Sequence, residues 1–149
     1  MFEITTHIDI DAGIPETWKV FSSFSGYPEW NPFIRAIKGD VAIGKKIEVM
    51  LQQPGMKLMK MKPKVLVFEK KKELRWIGHL GIPGLFDGEH VFRLVKNDNG
   101  STRFIQKEIF RGLLVPLFIK MLDTKTRKGF ELMNCSLKEI VESQKGHNS

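Results

Sequence analysis

HVFRLVKNDNGSTRFIQKEIF, residues 90–110, reads as two strands joined by a tight turn, and its pairing decides the fold. Asn97-Asp98-Asn99-Gly100 is a strong hairpin signal between two alternating runs. A three-residue loop, Asp98 to Gly100 with Gly100 in the left-handed region, sets Leu94 opposite Phe104, Phe92 opposite Gln106 and His90 opposite Glu108. Side chains alternate along a strand, so these six share one face with Phe110 beyond them. Val91, Arg93, Val95, Arg103, Ile105, Lys107 and Ile109 take the other face, whose cations belong in water. A two-residue loop would shift the register by one and disperse the inner set. The inner face needs a cover. Immediately downstream, Pro116 to Gln144 supplies one: Phe118, Met121, Leu122, Lys125, Gly129, Phe130, Met133, Leu137, Ile140 and Val141 recur at the spacing of one helical stripe.

Upstream, the same grammar continues. Residues 3–11 alternate around Ile4, Ile8 and Ile10 and form a first strand. From Pro15 to Phe24 the period changes to helical, with Trp18, Phe21 and Ser22 on one side. Glu29-Trp30-Asn31-Pro32-Phe33 makes a second short helical turn or elbow that Pro32 stops. Strands are expected at 34–39, 46–52, 57–68, 74–80, 85–95 and 102–111, separated by glycine and proline turns. The order is strand, two short helices, six strands and a long C-terminal helix. It predicts an α+β fold in which a curved antiparallel sheet of about seven strands wraps the helix around an internal apolar cavity. Gly129 in mid-helix costs about 1 kcal/mol relative to alanine, which implies that it faces the sheet or the cavity. Residues 1–145 are expected to form a single domain and 146–149 a polar tail.

Composition narrows the function classes. The chain has 149 residues with 42% hydrophobic and 28% charged, a globular balance. No apolar run reaches the roughly 20 residues of a membrane span, and the N-terminus lacks a signal-peptide pattern. Cys135 is the lone cysteine, which excludes an intrachain disulfide and suggests a reducing cytoplasm. On a helix, it reads as a packing residue. The net charge of +7 comes from cations scattered along the chain, as on a solvated surface. No aromatics interleave with them, so nucleic acid is not expected as a partner. Stable membrane insertion is not expected either, and transient contact with an anionic membrane surface stays open. His7 and His79 have no evident carboxylate partner, and His147 lies in the tail. Four scattered histidines and one cysteine give no metal-site spacing, and no glycine-rich phosphate loop precedes a helix. No metal or cofactor is expected.

Five segments, taken in order, carry a family resemblance: Trp30-Asn31-Pro32-Phe33-Ile34, Glu73-Leu74-Arg75-Trp76-Ile77-Gly78, Leu85-Phe86-Asp87-Gly88-Glu89-His90-Val91-Phe92, Glu108-Ile109-Phe110-Arg111-Gly112 and Gly129-Phe130-Glu131-Leu132-Met133-Asn134. The chain resembles the polyketide cyclase/dehydrase-like branch of the START and pollen-allergen superfamily (SRPBCC) nearly end to end. The resemblance implies a helix-grip fold with a deep ligand cavity, and it does not imply a particular reaction.

Three polar residues, His90, Gln106 and Glu108, fall on the inner face among aromatic neighbours. Two readings fit them: a structural cross-strand network, or a wet pocket end that orients a ligand. With Glu108 ionised, the His90 pKa is expected to rise above about 6.5. Trp30, Phe33, Trp76, Phe92, Phe104, Phe110, Phe130 and Met133 join them as candidate ligand-binding residues, with Met50, Met59, Met61 and Met121 as an adaptable lining. Binding or carriage of a small apolar molecule (a lipid, isoprenoid or polyketide-like compound) asks least of these residues and is the expected function, without defined catalysis. The alternatives are a cyclase, dehydratase or hydrolase with His90 and Glu108 as acid/base pair, and a basic interaction module.

Overall fold

A computed structural model describes residues 1–145; the expected tail at 146–149, with His147, lies outside them. The element order is β1 (Phe2–Ile10), α1 (Ile14–Phe21), a short 3-10 turn (Phe24–Gly26), α2 (Tyr27–Trp30), β2 (Ile34–Lys38), β3 (Glu48–Leu51), β4 (Met59–Met61), β5 (Lys64–Glu69), β6 (Glu73–His79), β7 (Asp87–Lys96), β8 (Thr102–Arg111), α3 (Val115–Met121) and α4 (Arg127–Lys145). A π-helical turn, Leu122–Thr126, joins α3 to α4 without a break.

The strands form two antiparallel sheets, β1-β8-β7-β6-β5 and β2-β3-β4. This corrects the expectation of about seven strands in one sheet. Pro63 has no amide hydrogen to continue a ladder, so the stretch 57–68 divides into β4 and β5. Backbone bonds from Ile47 N to the Pro63 carbonyl (3.0 Å) and from Val65 N to the Lys45 carbonyl (2.9 Å) carry the curvature from one sheet into the other.

The final hairpin pairs as its loop requires. Gly100 has φ +86, and Leu94–Phe104, Phe92–Gln106 and His90–Glu108 are opposed. Its inner face meets α4, which buries Phe130, Met133, Leu137 and Val141. At the π turn the stripe changes phase: Lys125 is exposed and Thr126 buried. Cys135 also lies on the exposed side of α4, so it is not a packing residue. On the outer face, Glu73 bridges Arg75 (3.2 Å) and Arg93 (2.6 Å), while Arg75 also reaches Glu89 (3.1 Å).

Gly129 packs on Phe33, and a Cβ there would stand 2.5 Å from the ring carbon Cδ1. Asn31 fixes the approach, because its Oδ1 accepts hydrogen bonds from the Phe33 amide (3.0 Å) and the Ile34 amide (2.8 Å). The elbow between α2 and β2 thus aims Phe33 at the one helical position with room for it.

Candidate functional site

A cavity of about 330 Å³ opens at one end of the grip. Strands β6 and β7 pass it with a facing pair of glycines, Gly78 and Gly88, where side chains would otherwise fill the space. Around them stand Phe33, Leu51, Phe86, Phe110, Phe118 and Leu122, together with the methionines Met56, Met59, Met61 and Met121. Leu80 and Leu114 belong to the rim. Thr126 donates its hydroxyl to Gln53 Oε1 (2.9 Å), tying the π turn to the 53–58 loop at the cavity edge. Among the described residues, the only ionisable group on this wall is Glu108.

The expected site residues therefore divide. Phe33, Glu108 and Phe110 face the cavity, as do Met59, Met61 and Met121. Trp76, Phe92, Phe104, Phe130 and Met133 are buried in solid core, and Met50 and Trp30 also lie off the wall. Trp30 packs edge-on against Tyr27, with ring centroids 5.1 Å apart. Sequence reasoning missed Met56, Leu51, Phe86, Phe118 and the two glycines. The glycines carried a usable signal, since a glycine inside a strand marks a close approach or a place left open for a ligand.

His90 and Gln106 stand just behind the wall. His90 stacks on Phe92 with centroids 4.0 Å apart and lies 4.7 Å from Phe130. Gln106 Nε2 donates to the Phe130 carbonyl (3.2 Å) and to Asn134 Oδ1 (2.7 Å), and Asn134 Nδ2 donates to Thr6 Oγ1 (3.0 Å). A backbone carbonyl only accepts, so the Gln106 amide orientation is fixed and its oxygen must face His90. His90 Nε2, at 3.0 Å from that oxygen, therefore carries the hydrogen. In a neutral imidazole Nδ1 is then a bare acceptor, and it lies 3.5 Å from Glu108 Oε1.

Burial sets the charge states. It pushes His90 down to about 3, against the hydrogen bond to Gln106, and pushes Glu108 up to about 8. The expected rise of the His90 pKa is thereby corrected. Neither charge is solvated here, and an unionised Glu108 offers no anion to hold an imidazolium. The neutral pair is compatible with the geometry, because a protonated Glu108 can turn its hydrogen toward the bare Nδ1 3.5 Å away. A second correction concerns His79. Its Nδ1 lies 2.6 Å from Asp87 Oδ1 across the β6–β7 ladder, and the hydrogen bond from His79 lowers the Asp87 pKa. Among the described residues, no group of three or more His, Cys, Asp or Glu side chains is placed to hold a metal ion.

Residues 1–142 match the family described as polyketide cyclase / dehydrase and lipid transport. The chain belongs to this family. No curated protein gives a match. Among solved structures, the chain is similar to TTHA0849 from Thermus thermophilus, at 13% identity and TM-score 0.74, over 96% of this chain and 99% of that one. It is also similar to Ara h 8.0201, at 14% identity and TM-score 0.64, over 95% and 98%. A third is the di-domain ARO/CYC StfQ from the steffimycin biosynthetic pathway, at 8% identity and TM-score 0.75; 97% of this chain covers 52% of that one. At these identities the likeness establishes the helix-grip fold and nothing about ligands. Family membership implies binding of a hydrophobic ligand or polyketide cyclase activity. No helix among the described residues is long and apolar enough to cross a membrane.

Proposed function

We propose that the chain binds a small, largely apolar molecule in the cavity between the helix and the two sheets, and carries it rather than transforming it. The observation that supports this most is the wall itself: apolar and methionine side chains surround about 330 Å³, with one carboxyl at its inner end. Methionines repack around varied shapes at little cost, which suits a carrier. His90 does not suit the alternative role of general base. Its imidazole is held down to about 3, and both its nitrogens are engaged or turned from the cavity. A base acting near neutral pH needs a pKa near 7. Titration with 1-anilinonaphthalene-8-sulfonate or a fluorescent fatty alcohol, checked by native mass spectrometry, tests the reading. One equivalent should bind, and Met61→Trp should block it. A chain that takes up no apolar probe of this size refutes the proposal.

The mouth favours delivery at an anionic bilayer. Three segments border it: 53–62, 79–86 and 111–122. They hold nine of the thirteen large apolar side chains exposed among the described residues, leaving Met1, Ile43, Val95 and Leu132 elsewhere. Leu113 is 82% exposed, Leu117 77% and Ile82 67%. The Leu113 amide bonds the Gly84 carbonyl (3.1 Å), so the 79–86 loop and the start of α3 form one surface. The segments also carry Lys57, Lys60, Lys62, Arg111 and Lys120 and no Asp or Glu. Of the acids that flank these segments, Asp87 pairs with His79 and Asp123 with Arg127, while Glu48 pairs with Lys60 and leaves Lys57, Lys62, Arg111 and Lys120 as the remaining cations. Large exposed apolar patches mark contact sites, and each juxtamembrane cation contributes about 1 kcal/mol at an anionic surface. The paired variant Leu113→Ser/Leu117→Ser should lose co-sedimentation with phosphatidylglycerol vesicles and keep probe binding. Wild-type protein that ignores such vesicles at low salt removes the bilayer from the proposal. The unpaired, exposed Cys135 accords with a reducing compartment such as the cytoplasm.

A further inference from the structure

The row of hydrogen bonds behind the cavity runs in one direction, and this specifies the polar end of the ligand. At its far end, the Phe130 carbonyl and Asn134 Oδ1 accept from the Gln106 amide. The Gln106 oxygen then accepts from His90 Nε2 at 3.0 Å. Nδ1 of His90 has only Glu108 Oε1 before it, at 3.5 Å, and can pair with it only if that oxygen brings the hydrogen. Each link leaves the next no choice. A protonated Glu108 meets that acceptor by turning its single acid hydrogen toward Nδ1 across the 3.5 Å gap, and its second oxygen, Oε2, then retains only lone pairs. That oxygen lies over Gly88, where any side chain would collide with it, and Glu108 and Gly88 are both part of the cavity wall. Among the described residues no protein group donates to it; the one polar side chain paired with Glu108 is His90, whose Nδ1 stands 3.5 Å from Oε1.

We propose that the cavity selects a ligand whose apolar body ends in a hydroxyl group, alcohol or phenol, donating its hydrogen to Glu108 Oε2. This rests on the cavity being a ligand site and deepens that reading by naming the chemistry of the buried end. A ketone, ester or ether of the same shape would set its oxygen lone pairs against those of Glu108 and leave both unpaired. The carboxyl pKa of about 8 keeps this arrangement intact through neutral pH.

Equilibrium titrations at pH 6 with 2-naphthol and 2-methoxynaphthalene separate the two ends while holding the apolar body constant. The wild-type chain should bind 2-naphthol about tenfold more tightly, the worth of one net hydrogen bond in a buried site. Glu108→Gln should retain the preference, because its amide nitrogen can donate to His90 Nδ1 and leave the amide oxygen facing the cavity. Glu108→Leu should abolish it, with 2-methoxynaphthalene bound at least as well as 2-naphthol. Equal affinities for both probes in the wild type, or tighter binding of the ether, overturn the hydroxyl assignment while leaving the cavity reading intact. Failure of both probes to bind overturns the cavity reading, and the assignment falls with it. A Glu108→Gln chain that melts as wild type yet shows no preference also overturns it, since the acceptor would then not be what the ligand reads.

Discussion

The two ends of the last hairpin carry the same strand pattern and have opposite interiors. Toward the Asp98–Gly100 loop, Phe92 and Phe104 meet Phe21 with ring centroids 5.4–5.5 Å apart, and Leu94 is buried in the same core. Toward Asp87 and Arg111, the inner positions are Gly88, Phe110 and Glu108, and the space between them and the helix is open. Between the two ends lie His90 and Gln106. The difference does not arise from polarity, since both interiors are mainly apolar. It arises from side-chain volume. Facing glycines on β6 and β7 remove volume at one end, while interlocked aromatic rings supply it at the other. The glycine positions line the gap with backbone alone and contribute no side-chain atoms to fill it.

The largest expected effect lies at the solid end. Phe92 is fully buried and touches His90, Trp76, Phe21 and Phe104, so Phe92→Ala should cost about 3–5 kcal/mol. Met61→Ala borders space that is already empty, so its loss should stay below about 1.5 kcal/mol. Urea unfolding measures both. Equal losses at the two positions would erase the distinction between packed and open ends.

A smaller effect follows from the polar row, and its sign changes with pH. Glu108 holds its proton in the folded chain to about pH 8, whereas an unfolded glutamate loses it near about 4.3. Between those values the folded state binds more protons, so stability falls as pH rises. His90 acts in the other direction: unfolded it protonates near about 6.5, folded only near 3, so stability rises with pH across that window. The two slopes oppose each other from about 4.3 to 6.5, leaving the Glu108 loss uncompensated from there to about 8. Over that interval the wild-type chain should lose about 2 kcal/mol from this group, and Glu108→Gln should lose none of it. Thermal melts of both chains at pH 6.5 and pH 8 decide the matter. Parallel declines would mean that Glu108 is already ionised at neutrality.

These contrasts also show what the sequence could reveal. Hairpin register was legible because Asn97 to Gly100 admits one good loop and the alternation on both sides agrees with it. The covering helix was legible from its stripe, and Gly129 from the cost of a helical glycine. The charge of His90 was not, because a glutamate opposite a histidine looks like an ion pair until burial and the fixed Gln106 amide are known. His79 and Asp87 were separable only after the β6–β7 register placed them face to face. The void was the least legible feature. It is made by residues missing side chains on two strands and by loop residues such as Met56, far apart in the chain.

The smallest stability effect, and the sharpest test of the volume argument, is Gly78→Leu. Gly78 sits in β6 opposite Gly88, and a Cβ built there meets Met61 Cε at 2.7 Å and then only Pro63 Cβ at 3.9 Å. The Met61 terminus is the free end of a flexible side chain and can swing aside, so the backbone need not move. A leucine would then extend into the cavity and gain apolar contacts, while replacing a residue that weakens a strand. These gains oppose the local crowding, and the net change in stability should stay within about 1 kcal/mol. Binding of an apolar probe should nevertheless fall sharply, because the same volume cannot hold both the leucine and a ligand. Near-native stability with binding lost would locate the ligand between the facing glycines. Undiminished binding in a well-folded Gly78→Leu chain would place the ligand elsewhere and undo the link between the missing side chains and the open end.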